Sequence, residues 1–289
     1  MIVADIGTDH GHLASSLSTR NDVRHVFATD ISPHAAALNF FERLPIECRQ
    51  KITMLLGDGL KPLEQANVRT CDTVVLSGMG VSSLFEILCV PKSQQEESLN
   101  NKVPKTDYWS NLRLNNELLA ALGVRRLVLA PWPPSFLSLQ ALLHIALQNE
   151  NETYSNGKSF PNSCWRFSEQ ALDHVNGYLY LTCTLDRVEH ADESKAKGNL
   201  RSEGTLSLQC NPLYQLAEAE ARDTGTREDQ EQVGLWRSYL KLQLTTLRKR
   251  QHGLALKEKV QQKTDLDHAG TPMYSLNALI EMLERHCVS

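Results

Sequence analysis

The first thirteen residues restrict this chain more than any other stretch. Val3-Ala4-Asp5-Ile6 reads as a short buried strand, Gly7-Thr8-Asp9-His10-Gly11 as a turn punctuated by two glycines, and His12-Leu13 as the start of a helix. Leu13 and Leu17 supply that helix with its apolar face. A strand that breaks into such a turn and opens a helix belongs to an α/β architecture built on a parallel sheet.

The turn also constrains the ligand. Gly7 lets the backbone bend sharply, Gly11 lets the helix pack close, and the helix N-terminus carries N–H groups with no partner inside the helix. In dinucleotide-binding proteins these donors face a pyrophosphate and the middle of the turn is another glycine. Here the middle is Asp9-His10. An acid there repels a pyrophosphate but attracts a cation or accepts from an amino group, which suits the sulfonium and amino-acid tail of S-adenosylmethionine.

Three further strands end in the same way. Residues 23–29 contain Val26-Phe27-Ala28, and Asp30 follows at the interval where an acid meets ribose hydroxyls. Ser32-Pro33 also signal a helix start, so Asp30 can equally serve as a cap. Residues 52–56 run into Gly57-Asp58-Gly59, where Asp58 can accept from an exocyclic amine. Residues 73–76, all apolar or β-branched as a doubly covered strand should be, run into Ser77-Gly78-Met79-Gly80. Met79 is either a core gap-filler or part of the opening where a target base meets the methyl group.

These runs, with Thr29-Asp30-Ile31 and Gly57-Asp58-Gly59-Leu60, resemble the TrmK family, the tRNA (adenine(22)-N1)-methyltransferases. The Asp5-Ile6-Gly7-Thr8-Asp9-His10-Gly11 run is the most specific part. Residues 126–131, 176–184 and Asn211-Pro212-Leu213 extend the likeness to the fifth strand, the late strands and the entry to a helical tail. The resemblance implies a class I, Rossmann-like methyltransferase with a mostly parallel seven-stranded sheet and a C-terminal α-helical coiled-coil hairpin. It also implies S-adenosylmethionine as cofactor, no metal, and the D-arm region of tRNA as substrate. Cofactor contacts are then expected from Asp5, Gly7, Asp9, His10, Gly11, Asp30, Ile31, Asp58, Gly59, Gly78, Met79 and Gly80. Methyl transfer to adenine N1 is an in-line displacement by a lone pair, so no strong base is needed and placement supplies most of the rate. Asp9 and His10 are expected nearest the transferred group, unless Asp9 holds the methionine ammonium instead.

The chain departs from the family in two places. Relatives carry a helical segment ahead of the first strand, where this sequence opens at Met1, and that segment forms one wall of the site. Relatives show Gln-Pro-Asn after the fifth strand, and this chain has Ala130-Pro131-Trp132. The Pro-Pro-aromatic segment of amino-group methyltransferases follows strand four, so Pro131-Trp132-Pro133-Pro134 is not that motif. Trp132 can stack on a base or anchor the loop by packing.

Composition narrows the rest. A net charge of −4 provides no global basic field, so RNA contact must rest on a local patch. Seven cysteines at scattered positions form no Cys-x-x-Cys pair, which speaks against a zinc ribbon or a disulfide framework. With no long apolar run and no leader read at Met1, a cytoplasmic monomer without a membrane partner is expected, or an organellar one if the source is eukaryotic.

Helices are expected over residues 35–44, 62–67, 81–88, 108–122 and 136–148, with Gly123 as a C-cap. Residues 91–107 and 149–163 read as polar insertions, and residues 164–171 and 177–184 as the last strands. Domain limits follow: a methyltransferase domain at 1–188, a linker at 189–206, and a helical RNA-binding domain at 207–289. In that last part a long helix is expected over 227–262, paired across a turn at 265–272 with a helix at 275–286. Arg237, Lys241, Arg248, Lys249 and Arg250 lie in a strongly basic interval of the long helix. They form either an ordinary solvated face or an arm for RNA phosphates. The alternatives to a tRNA enzyme are the same fold acting on another RNA or a small molecule, and a non-catalytic RNA-binding relative.

Overall fold

In the computed structural model of the chain the residues described are 1–32, 41–91, 112–132, 163–189, 216, 219–221 and 225–261. The chain divides into two compact units. The first is Met1–Lys92 with Arg113–Ala171 and Tyr180–Ser202, and the second is Ser93–Leu112 with Leu172–Leu179 and Glu203–Ser289.

The first unit is built on strands β1 (Ile2–Ile6), β2 (His25–Asp30), β3 (Ile52–Leu56), β4 (Thr73–Ser77) and β7 (Arg126–Ala130). These five are parallel to one another, and they join the long strands β8 (Ser163–Val175) and β9 (Tyr178–Glu189) in one sheet of order β3-β2-β1-β4-β7-β9-β8. Strand β9 runs antiparallel to β7. Val3, Ala4, Asp5 and Ile6 are all buried, as are Thr73, Val74, Val75 and Leu76, because a central parallel strand is covered on both faces. Val3, Val26, Ala28 and Val75 form a core on one face with Ala14, Val23 and Phe41.

Helices α1 (His12–Ser18), α2 (Ile46–Arg49), α3 (Lys61–Gln65), α4 (Val81–Leu88) and α5 (Asn116–Ala121) fill the connections. The expected helix over 108–122 is shorter than its leucines suggest. Leu112–Leu114 is a strand, β6, paired with β5 (Cys89–Pro91), and the helix proper starts only at Asn116. Leu112 and Leu114 are buried on either side of a less buried Arg113, an alternation of period two that precedes the helical one. Asn115 caps α5 by accepting from the Leu118 amide at 3.2 Å. The last strands are also longer than expected on both sides of the Asn176-Gly177 turn, whose positive φ angles of 52° and 83° are those of a tight hairpin.

Gly123 ends α5 as the sequence suggests. Its amide bonds to the Ala120 carbonyl and the Val124 amide to that of Leu119, the paired bonds of a Schellman motif. Its φ is 79°, and a Cβ there would stand 2.7 Å from the Arg69 carbonyl oxygen. Gly123→Ala is therefore expected to lower stability by about 1–2 kcal/mol from the left-handed backbone alone, and by more because backbone rather than side chain blocks the methyl group. Thermal unfolding checks this; an unchanged Tm would mean the Arg69 loop yields freely.

In the second unit the long helix α6 (Arg227–Gln261) stands close to its expected limits. Val233, Trp236, Tyr239, Leu240, Gln243, Leu244 and Leu247 are buried in a stripe spaced by threes and ones, and Trp236 and Tyr239 meet edge to face. The expected helix at 136–148, most of that at 35–44, the insertions, the linker and the partner helix at 275–286 lie outside the described residues.

Candidate functional site

Because β1 to β4 are parallel and in register, the turns after Ile6, Asp30, Leu56 and Ser77 open on one edge of the sheet. The chain runs from β1 outward to β3 on one side, then returns to β4 on the other. The gap between β1 and β4 is thus a topological switch point, where open α/β sheets bind ligands.

The first turn is held from below. Asp5 is 2% exposed; its Oδ2 accepts from the Thr8 hydroxyl at 2.8 Å, and its carboxyl also accepts from the Ala14 amide in the first turn of α1. Burial pushes the Asp5 carboxyl up to about 6, the two hydrogen bonds oppose that, and the charge of Asp30 adds to it. Asp5 was expected among the cofactor contacts, and the structure places it beneath the turn, where it ties strand to helix.

The turn is also held from the side. The amides of Gly7 and Thr8 both donate to the Thr29 carbonyl at 2.9 Å, and the Asp9 amide donates to Asp30 Oδ2 at 2.8 Å. The Gly11 amide donates to the Thr8 carbonyl at 2.7 Å. Four donors of the turn therefore have acceptors within the protein, which leaves them poorly placed to cradle a pyrophosphate. Gly7 and Gly11 have φ near 75°, and Asp9 takes the left-handed region at 46°, which aspartate tolerates better than most residues. The Asp9 side chain is 70% exposed, with the likewise exposed His10 ring nitrogen 3.7 Å away.

Asp30 works on both of its flanks. Besides Asp9, it accepts from the Ser32 amide on Oδ1 at 2.8 Å, so it braces two loops while each oxygen retains a second lone pair. The helix expected at 35–44, which that cap would serve, lies mostly outside the described residues. Ile31 and Leu56 are strongly exposed at the ends of β2 and β3, an apolar surface beside Asp30. Asp58 is tied to Lys61 at 2.7 Å on an exposed surface, so any ligand amine must compete with that ammonium. Gly59 has φ 58° and packs against Ile87.

At the fourth turn Gly78 has φ 73°, and a Cβ there would meet nothing within 4 Å. That is open room at the switch point. Met79 is half-buried, and its Cε would stand 2.7 Å from a Cβ on Gly7, so the end of its side chain lies against the first turn. Gly80, in extended backbone, starts α4. The Met79 carbonyl accepts from the Trp132 amide at 2.9 Å, and the Trp132 ring stacks on Tyr180 with centroids 5.0 Å apart and planes 25° from parallel.

Sequence reasoning did not single out Thr8, Thr29 or Tyr180. The Thr8 role depends on Asp5 being buried, and that of Tyr180 on the pairing of β7 with β9. On α6, Arg237, Lys241, Arg248 and Lys249 are exposed; Arg237 is paired with Glu220 at 2.7 Å, and the Arg250 side chain lies outside the described residues. Among the described residues no group of three or more His, Cys, Asp or Glu could hold a metal ion, and no helix is long and apolar enough to cross a membrane.

Residues 1–103 match a family profile described as a methyltransferase domain. No curated protein sequence matches the chain. Among solved structures, the chain is similar to TrmK of M. capricolum in complex with S-adenosyl-homocysteine, at 14% identity and a TM-score of 0.53, over 98% of this chain and 91% of that one. It is similar at 14% identity and a TM-score of 0.54 to a Streptococcus agalactiae protein of the NADB-Rossmann superfamily, over 99% and 89% of the two chains. A Streptococcus pneumoniae protein, proposed to be a tRNA (m1A22) methyltransferase, matches at 13% identity and a TM-score of 0.52 over 99% and 92%. The fold is the Rossmann-like methyltransferase fold.

Proposed function

We propose that the protein is an S-adenosylmethionine-dependent methyltransferase that transfers a methyl group to N1 of an adenine in the D-arm region of tRNA, at position 22. One observation carries the cofactor reading: exposed Asp9 and twice-braced Asp30 flank the same switch point as the open space at Gly78. Those groups fit a ligand with a cationic amino-acid tail and a ribose, and the internally bonded amides of the first turn disfavour a dinucleotide. TrmK-fold neighbours and the match to a methyltransferase domain support the same reading.

The residues divide the work by their chemistry. Asp30 would accept from ribose hydroxyls, Asp9 would hold the ammonium, and Ile31 with Leu56 would cover the flat face of the adenine. Asp58 would accept from its amine once Lys61 turns aside, with Gly59 admitting the ring edge. The cofactor supplies an electrophilic methyl carried on sulfur. The adenine N1 lone pair forms the new carbon–nitrogen bond as the carbon–sulfur bond breaks, and the product base carries the positive charge. His10, 3.7 Å from the Asp9 carboxylate, would border the transferred group. Met79 and Gly78 border the space the base must enter, and the base must leave its stack to do so. Arg237, Lys241, Arg248, Lys249 and Arg250 would give α6 a salt-dependent grip on RNA phosphates, with Glu220 released from Arg237 on binding.

The test is transfer of radiolabelled methyl to an unmodified tRNA transcript, with the nucleosides identified. Label is expected as 1-methyladenosine and should vanish from a transcript lacking the D-arm adenine. Cofactor binding without transfer to any tRNA would overturn the reading.

A further inference from the structure

We propose that Trp132 and Tyr180 form a stacking platform for a nucleobase of the RNA substrate at the rim of the methyl-transfer site, with Tyr180 as the face the base lies on. This rests on the methyltransferase reading above and adds to it a residue that recognises substrate.

The platform follows from strand register. Strand β7 pairs with β9 so that Arg126 faces Asp186, Leu127 faces Leu185, Val128 faces Thr184 and Leu129 faces Cys183. Continued at the same stagger beyond the end of β7, the ladder sets Trp132 opposite Tyr180. The two rings do meet there, 5.0 Å apart and only 25° from parallel. Directly opposed side chains are those an antiparallel pair brings closest, and aromatic pairs use that proximity well.

The location gives the pair its meaning. Trp132 is fixed by its amide to the Met79 carbonyl, in the loop that borders open space at Gly78. Pro131, buried just before it, sets the chain direction. Tyr180 keeps 40% of its surface exposed although one face is covered by Trp132. A large aromatic side chain that is backed by a second ring and still open to solvent gives a flat, pre-oriented surface, as proteins that bind unstacked bases use.

Tyr180→Ala and Tyr180→Phe test the platform against wild type. The readouts are affinity for an unmodified tRNA transcript by fluorescence anisotropy, affinity for S-adenosylmethionine by calorimetry, Tm, and methyl transfer. Loss of one stacked base should weaken RNA binding by about 5- to 100-fold. In Tyr180→Ala that loss should come with unchanged cofactor affinity and Tm, while Tyr180→Phe, which keeps the ring, should bind within about twofold of wild type. A purely structural ring would instead lower Tm in Tyr180→Ala and leave RNA affinity in place. Equal RNA affinity of Tyr180→Ala and wild type overturns the platform even if methyl transfer is observed. Weakened RNA binding in Tyr180→Ala with no transfer by wild type supports the platform and overturns the enzyme reading. Failure of wild type to bind tRNA overturns both.

Discussion

Asp30→Ala is expected to weaken S-adenosylmethionine binding by at least about 100-fold, because two hydrogen bonds from ribose hydroxyls to a charged acceptor are each worth about 1.5–3 kcal/mol. The substitution also removes the acceptor for the Asp9 and Ser32 amides. The Asp9 amide is exposed and the Ser32 amide only part-buried, so water can replace the carboxylate and the fold should survive with a modest fall in Tm. Asp30→Asn retains one acceptor oxygen and should lose less, about tenfold. Calorimetric titration of the folded variants separates the two roles of Asp30. Unchanged affinity in Asp30→Ala would leave the residue as a loop brace alone.

Asp5→Asn should make the protein more stable at neutral pH, an unusual result for a residue at the heart of a ligand site. The Asp5 carboxyl, raised by burial to about 6 in the folded chain, ionises near 3.8 when unfolded. Between those values the folded state binds more protons than the unfolded one, so stability falls as pH rises through the window. The stability conferred by the neutral acid is fully present below 3.8 and gone above 6. A shift of about two pKa units corresponds to about 3 kcal/mol. An asparagine mimics the protonated carboxyl: its oxygen can accept from Ala14, and the Thr8 hydroxyl can rotate to accept from its amide. Thermal unfolding of both proteins from pH 4 to pH 8 should show curves that meet near pH 4 and separate by pH 7, the variant higher. Parallel curves would remove Asp5 as the source of the pH dependence.

How much could be read beforehand depended on whether the determinants were local. Strands β1 to β4 were legible because each is a short, largely apolar run ended by Gly or Asp, and the central β1 and β4 are buried on both faces. Gly123 was legible because a Schellman cap is written in the residues around it. Leu112 and Leu114 were not, since three residues suit a strand as well as the edge of a helix whose later leucines recur at three and four. At the candidate site, the places of Asp9, Asp30 and Gly78 at the strand ends were visible from spacing. The position of Asp5 beneath the turn was not, because it is set by how α1 packs on β1. Trp132 could be noticed as an aromatic between prolines, but its partner lies 48 positions on and required the β7–β9 register. The pairing of Arg237 with Glu220 likewise crosses a stretch whose local pattern does not dictate it.

The amides of residues 7, 8 and 9 all end on Thr29 and Asp30, so the turn after the first strand and the tip of the second cannot drift independently. An amino-acid tail held at Asp9 and a sugar held at Asp30 would be gripped by a single rigid piece of protein. Little ordering remains for the ligand to impose, and little of its interaction energy is consumed in assembling its own receptor. The geometry that would face the sulfonium carbon is then in place before the ligand arrives.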